Sequence, residues 1–144
     1  MADTGDSGAY PRPMLTVDVV VLLATETIRR VLLIQRGNPP FRGSWALPGG
    51  FVEEGEQVLE AAPRELAEET GLRVGDLQLL GVYDTPGRDP RGWTVSVVYL
   101  ARLTNEAAVA GADDAIAARW FAIDELPELA FDHSLILADA LTAA

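Results

Sequence analysis

Three carboxylates, Glu65, Glu68 and Glu69, share the stretch ALPGGFVEEGEQVLEAAPRELAEETGL (Ala46–Leu72) with a single arginine, Arg64. At about 100° per residue, Val58, Leu59, Ala62 and Leu66 form one apolar arc of a helix. Glu65 and Glu69 fall within or beside that arc, and Glu68 lies next to it. Residues three and four apart are neighbours on a helix surface, so Glu65 meets both other glutamates at the edge of a half-buried face. Partly buried like charges either share protons or hold a cation. The plainer reading is a solvated acidic helix, but a merely solvated carboxylate belongs opposite the apolar arc. Oxygen donors without any cysteine, and with one distant histidine, His133, favour Mg2+ or Mn2+ over zinc.

The glycines before the helix add a second element. Pro48-Gly49-Gly50 allows close backbone approach, so a carbonyl or amide there can face a cation or a phosphate, although such glycines also serve turns. Gly71 is expected to end the helix as its left-handed residue. Pro63 is at odds with a helix interior, where proline removes a donor and clashes with the preceding turn. The expectation is that the regular helix begins at Pro63, where proline is tolerated, with residues 57–62 in a looser turn.

Around this helix the chain alternates strand and helix signals. Thr16–Leu23 and Arg30–Arg36 are β-branched-rich runs joined by a short polar link, a strand pair. Gly37–Ser44 is loop, given Pro39, Pro40 and two glycines. Leu77–Asp84, Trp93–Leu103 and Ala117–Ile123 are further strands, the first two separated by the turn-rich Thr85–Gly92. Asp132–Ala144 has helical spacing in Leu135, Ile136, Ala138, Asp139 and Leu141, with Asp132 as N-cap. This order implies a mixed sheet with helices packed on its faces.

Composition narrows the function classes. The 144 residues are 49% hydrophobic, enough for one domain with a full core and no second one. Residues 1–13, with no apolar core and no basic start, are expected to be a flexible lead rather than a signal peptide or membrane span, and 14–144 one domain. Twenty-two Asp and Glu against 11 Lys and Arg give a net charge of −11. That disfavours nucleic acid or an anionic membrane as a partner. The lack of cysteine fits a reducing cytoplasm, the expected location.

The run Gly50, five residues, Glu56, seven residues, REL, one residue, EETGL reproduces the Nudix box, so the chain resembles the Nudix hydrolases. Its flanks, RPMLTVDVVVL, NPPFRGSWALPGGFVEEGE, PGRDPRGWTVSVVYLA, GADDAIAARWF and LAFDHSLILADAL, are similar to the ADP-ribose pyrophosphatase-like branch. The resemblance implies an α/β fold, an α/β/α sandwich with a mixed central sheet, and Mg2+-dependent hydrolysis of a nucleoside diphosphate linked to another group. It implies Glu65 and Glu69 as principal metal ligands and Glu68 as a further ligand or water-orienting carboxylate. It also implies the Gly49 carbonyl as a backbone ligand and Arg64–Glu56 as an internal salt bridge. In some members the general base lies in a later loop; Asp113 and Asp114 are the candidates here, although an acidic turn is the equal alternative.

Basic groups should supplement the cations at the phosphates, and Arg36, Arg88 and Arg91 are the candidates, with Gly50 at the close backbone approach. Phe41, Trp45, Phe51, Tyr83 and Trp93 are the aromatics that could stack a purine, although core packing suits any one of them better. The leading expected reaction is ADP-ribose to AMP and ribose 5-phosphate. One alternative is hydrolysis of nucleoside triphosphates, including oxidised ones. Another is a non-catalytic nucleotide sensor, expected to be the lesser reading because the box carboxylates are intact and the sequence stops at Ala144 without the DNA-binding domain of related regulators. Similar enzymes imply a homodimer.

Overall fold

The apolar run at the start of the chain becomes the central strand of a seven-stranded mixed sheet. The computed structural model describes residues 10–27 and 29–143. The expected N-terminal lead lies outside the described residues up to residue 9, and residues 10–13 are exposed. In chain order the elements are β1 (Met14–Ala24), β2 (Arg29–Arg36), β3 (Trp45–Ala46), β4 (Gly49–Phe51), α1 (Val58–Thr70), β5 (Gln78–Tyr83), β6 (Thr94–Leu103), β7 (Ala115–Ala122), a 3-10 turn (Ile123–Glu125) and α2 (His133–Ala143). The sheet order is β3-β2-β1-β6-β5, with β4 paired to β1 and β7 to β2. β1 and β6 run parallel from Met14↔Thr94 to Leu23↔Leu103; the other pairings are antiparallel.

Successive strand side chains point to opposite faces, and β1 is apolar on both because both faces are covered. Val17, Val19 and Val21 pack with Leu32, Ile34 and α1 residues Ala61, Ala62 and Leu66. Val20 and Leu22 pack with Val31, Leu33, Val98, Leu100 and α2 residues Ile136, Leu137 and Ala140. The result is the expected α/β/α sandwich. Among the described residues no helix is long and apolar enough to cross a membrane.

Several boundaries differ from expectation. Two short strands, β3 and β4, appear around Leu47-Pro48, because β2 and β1 offer them ladder partners. α1 does not begin at Pro63. It begins at Val58, with Gln57 as N-cap and its backbone N–H held by Glu60 Oε1 at 2.9 Å, and Pro63 lies inside it. A proline there costs on the order of 3 kcal/mol, offset by complete burial of Ala61, Ala62 and Leu66. Leu59, expected in the apolar arc, is 53% exposed, since that arc is narrower than the sequence implied. Gly71 ends the helix at φ 76°, its N–H donating to the Ala67 carbonyl. On α2 the buried positions are His133, Ile136, Leu137 and Ala140, while Leu135 is exposed. The Asp132 side chain is taken up by Arg88 rather than given to a helix cap.

Candidate active site

β1 and β4 form a ladder in which Asp18 faces Gly49 and Val17 faces Gly50. α1 lies against it, and both glycines are required by what lies over them. A Cβ on Gly50 would sit 2.1 Å from Glu65 Oε2, and one on Gly49 would sit 2.4 Å from Asp18 Oδ1. The missing side chains let two carboxylates approach the strand backbone. The Gly49 amide donates to Glu69 Oε1 at 2.8 Å, which ties β4 to the last turn of α1.

Glu69 is 5% exposed. Burial, then Glu65, Asp18 and Asp114, push its carboxyl up to about 8, against the opposing Gly49 amide. Burial also raises Glu65, aided by Glu68 and Asp113 and opposed by Arg64. Glu68 is the open member, its side chain 43% exposed.

Arg64 answers the repulsion on this face. Its Nε and Nη2 form a fork on Glu56 at 2.6 and 2.9 Å. Its Nη1 bridges Glu65 and Glu68 at 2.9 and 3.0 Å, and Nη2 also reaches the Phe51 carbonyl. The fork holds Glu56 down at about 2, first through the Arg64 hydrogen bond and then through the Glu53 amide.

The residues expected as metal ligands, bases or phosphate contacts all line one cavity of about 420 Å3: Gly49, Gly50, Glu65, Glu68, Glu69, Asp113, Asp114, Arg36, Arg88 and Arg91. Eight carboxylates and four arginines line it in all, an excess of negative charge that opposes a diphosphate unless cations accompany it. The arginines are not equivalent. Arg88 is expected in an exposed loop, yet its side chain is 5% exposed and donates to Asp132 through Nε and Nη2, at 2.9 and 2.7 Å. Arg91 is matched to Asp89 at 3.1 and 2.8 Å and stacks over Phe51, 4.8 Å from the ring centre. Burial would raise Asp89, but the Arg91 hydrogen bonds carry it below its ordinary value.

Arg36 differs. It donates to the carbonyls of Pro40 and Asn38 and lies 5.0 Å over Phe131. Among the described residues it has no carboxylate within ion-pair distance, whereas the other three cavity arginines each do. Burial and then Arg91 lower its pKa.

Asp113 and Asp114 sit on an exposed loop ahead of β7. Asp114 Oδ1 accepts from Asn38 Nδ2 at 3.2 Å, and the Gly37 amide donates to its carbonyl. Of the aromatics considered from the sequence, only Phe51 lines the cavity. Trp45 packs on Phe121, Tyr83 donates to Asp139, Phe41 packs edge-on against Phe131, and Trp93 is exposed.

Sequence reasoning missed Asp18, Asp89, Asp132, Phe131 and the place of His133. His133 is distant in sequence but lines the cavity, 4% exposed. Its Nδ1 accepts from the Leu47 amide at 3.0 Å, and burial lowers its pKa, so the neutral ring carries its proton on Nε2, 3.6 Å from Asp18 Oδ1. Ser96 donates to Asp18 Oδ2. Phe131 adopts φ 54°, a left-handed backbone that costs a bulky residue on the order of 1–3 kcal/mol; the neighbouring Arg88–Asp132 fork and the Ala130 amide on the Trp45 carbonyl hold it there. One signal was available: Asp18 is a lone charge inside an otherwise apolar strand run.

The donors suit a hard divalent cation. Glu65, Glu68 and Glu69 offer oxygen only, and Glu69 is a buried carboxylate with one amide as its hydrogen-bond donor and three acidic neighbours, the setting in which a cation is favourable. Among the described residues no three acidic or imidazole groups are close enough to hold a metal as they stand; Glu65 and Glu68 each accept a hydrogen bond from Arg64.

The profile of the NUDIX domain matches residues 13–140. The chain is 48% identical over 130 residues to an ADP-ribose pyrophosphatase of Methanocaldococcus jannaschii, covering 90% of this chain and 74% of that protein. It is 36% identical to the ADPR-responsive transcriptional repressor NtrR of Acinetobacter baylyi, covering 91% of this chain but only 54% of the repressor. In three dimensions it is similar to the NUDIX domain of Shewanella oneidensis NrtR complexed with ADP ribose, with a TM-score of 0.87 and 33% identity, covering 96% of this chain and 93% of that one.

Proposed function

The chain belongs to the Nudix family, and on that premise we propose that it is a divalent-cation-dependent pyrophosphohydrolase that splits ADP-ribose into AMP and ribose 5-phosphate. The observation that carries the hydrolytic reading is Glu69, a carboxylate buried among other carboxylates on the wall of a cavity of nucleotide dimensions. The choice of ADP-ribose is supported by the Methanocaldococcus jannaschii relative, an ADP-ribose pyrophosphatase, and by the ADP ribose complexed with the structural neighbour.

Glu65, Glu68, Glu69 and the Gly49 carbonyl would hold Mg2+, with Mn2+ as a substitute. When bound, the cation would supply counter-charge to the diphosphate and Lewis acidity toward water. Glu69 is oriented for its part by the Gly49 amide. Asp114, exposed to water and aimed by Asn38, accepts the proton of the attacking water, with Asp113 beside it as the alternative and Glu68 as the ligand nearest solvent. Gly50 lets Glu65 reach the strand backbone.

Arg36 receives the substrate's phosphate. Its charge has no carboxylate partner, so an incoming anion displaces no existing ion pair, whereas binding to Arg88 or Arg91 would compete with Asp132 or Asp89. Those two arginines hold the wall in which Arg36 and Phe131 sit.

A panel of ADP-ribose and nucleoside triphosphates with Mg2+ and Mn2+, read by chromatography, tests the assignment. ADP-ribose should show the highest kcat/KM, giving AMP and no free pyrophosphate. Preference for an oxidised or ordinary triphosphate would overturn the substrate while leaving the metal chemistry. The second reading is a nucleotide sensor, favoured by the likeness to the Acinetobacter repressor; tight ADP-ribose binding with no product at either metal would establish it.

A further inference from the structure

Three successive residues, Leu47 and Pro48 between β3 and β4 and Gly49 at the start of β4, are held by three different elements. The Leu47 amide donates to His133 Nδ1 at 3.0 Å, the Pro48 carbonyl accepts from the Val19 amide at 2.9 Å, and the Gly49 amide donates to Glu69 Oε1 at 2.8 Å. His133 opens α2, which covers one face of the sheet, while Glu69 lies in the last turn of α1 on the other. The loop is therefore clamped from both layers. We propose that His133 is a positioning residue for the catalytic centre: by holding the Leu47 amide it sets where the Gly49 amide meets Glu69, and so aims that carboxylate for the cation.

The inference rests on the reading of Glu69 as a metal ligand, and the geometry gives it three supports. Leu47 is 2% exposed, so its amide has no solvent to turn to and must follow an acceptor or move. Pro48, with its fixed φ, is the only residue between Leu47 and Gly49, so a shift of the first amide is transmitted to the second. Beneath them Asp18 closes the floor: it faces Gly49 in the ladder, accepts from Ser96, and lies 3.6 Å from the protonated Nε2 of His133. The ring is in turn fixed by its own segment, where Ala130 bonds to Trp45, Phe131 stacks near it at 5.3 Å and Asp132 grips Arg88. Groups that orient a metal ligand from behind typically contribute 10–100-fold to metal affinity or rate.

The test compares His133→Ala, His133→Asn and His133→Gln with wild type, reading Mn2+ affinity by the loss of the free-ion EPR signal, kcat and KM for the nucleotide, and Tm. Asn places its Oδ1 where imidazole Nδ1 was, whereas Gln reaches the Nε2 end. The expected result is that His133→Ala weakens Mn2+ binding about 10-fold or more and lowers kcat about 10–100-fold with KM nearly unchanged. His133→Asn should return both to within a few-fold of wild type although it too loses the aromatic ring. Wild-type Mn2+ affinity in His133→Ala, or equal impairment of the Ala and Asn variants in step with Tm, would overturn the proposal. Should the Ala variant not fold, Asn binding Mn2+ more tightly than Gln supports it, and the reverse order overturns it. A wild-type protein that binds no Mn2+ would instead overturn the metal reading itself, and this inference with it.

Discussion

Glu69 near the end of α1 and Asp114 ahead of β7 face one cavity, yet their surroundings are opposite. Glu69 is closed in by the sheet, receives one amide, and is pressed by Glu65 and Asp18 until its carboxyl rises to about 8. Asp114 stands on an exposed loop, where its carboxylate accepts from Asn38. On the proposed reading the same functional group serves two tasks. A buried, crowded carboxylate gains most from a cation, while an exposed one can exchange a proton with water. The arginines repeat the contrast: Arg88 is buried and spent on Asp132, whereas Arg36 keeps its charge without a carboxylate partner.

The largest effect should come from Glu69→Gln, which keeps the shape and the Gly49 contact but removes the charge. Turnover should fall by roughly 10²–10³ or more, and the rise in Tm that Mg2+ gives wild type through binding to the folded state should shrink. Wild-type turnover with an unchanged Mg2+ shift would break the assignment of this helix as the metal site.

Next in size is Asp114→Asn, for which kcat should drop by roughly 10²-fold while the Mg2+-induced rise in Tm stays as in wild type. That split between rate and metal response would sharpen the contrast. An equal loss of both would erase it, and a normal rate in both Asp114→Asn and Asp113→Asn would return the base to the helix.

Arg36→Gln should raise KM about 10- to 100-fold, the size of one charge-assisted hydrogen bond, with little change in Tm. Arg88→Gln should do the reverse, lowering Tm because Asp132 loses its buried partner while KM holds. Calorimetry beside steady-state kinetics on the two variants decides it; a raised KM in Arg88→Gln alone would exchange their roles.

The smallest effect is on stability against pH in chelator-treated protein. The folded-state pKa of Glu69 lies above its ordinary 4.5, so the folded chain holds a proton that the unfolded chain releases across that interval. Stability from this group is complete below about 4.5 and declines as pH rises through about 8. Melting curves of Glu69→Gln should decline less over the same window. Parallel curves for the two proteins would mean that Glu69 is not the crowded group described.

Much of this was legible in the sequence because it depends on local geometry. The apolar runs of β1 and β2 read as doubly covered strands, and helical periodicity set Glu69 against the core whatever lay opposite. Gly71 announced the end of α1, and the spacing of Glu56, Arg64, Glu65, Glu68 and Glu69 carried the resemblance to the family. What the sequence left open depends on long-range contact. Pro63 looked like a helix start because its local cost is visible in sequence, while the burial of Ala61 and Ala62 that offsets it is not. Arg36, Arg88 and Arg91 were equal candidates, since nothing in TPGRDPRG tells that Asp132, more than 40 positions later, will claim one of them. His133 looked remote from the site for the same reason. The residue types and their spacing along α1 determined which chemistry this protein could attempt. Only the packing of α2 and its preceding segment against the β3–β4 loop decided which charges are neutralised, which remain available, and where Glu69 is held, because those pairings join groups far apart in the chain.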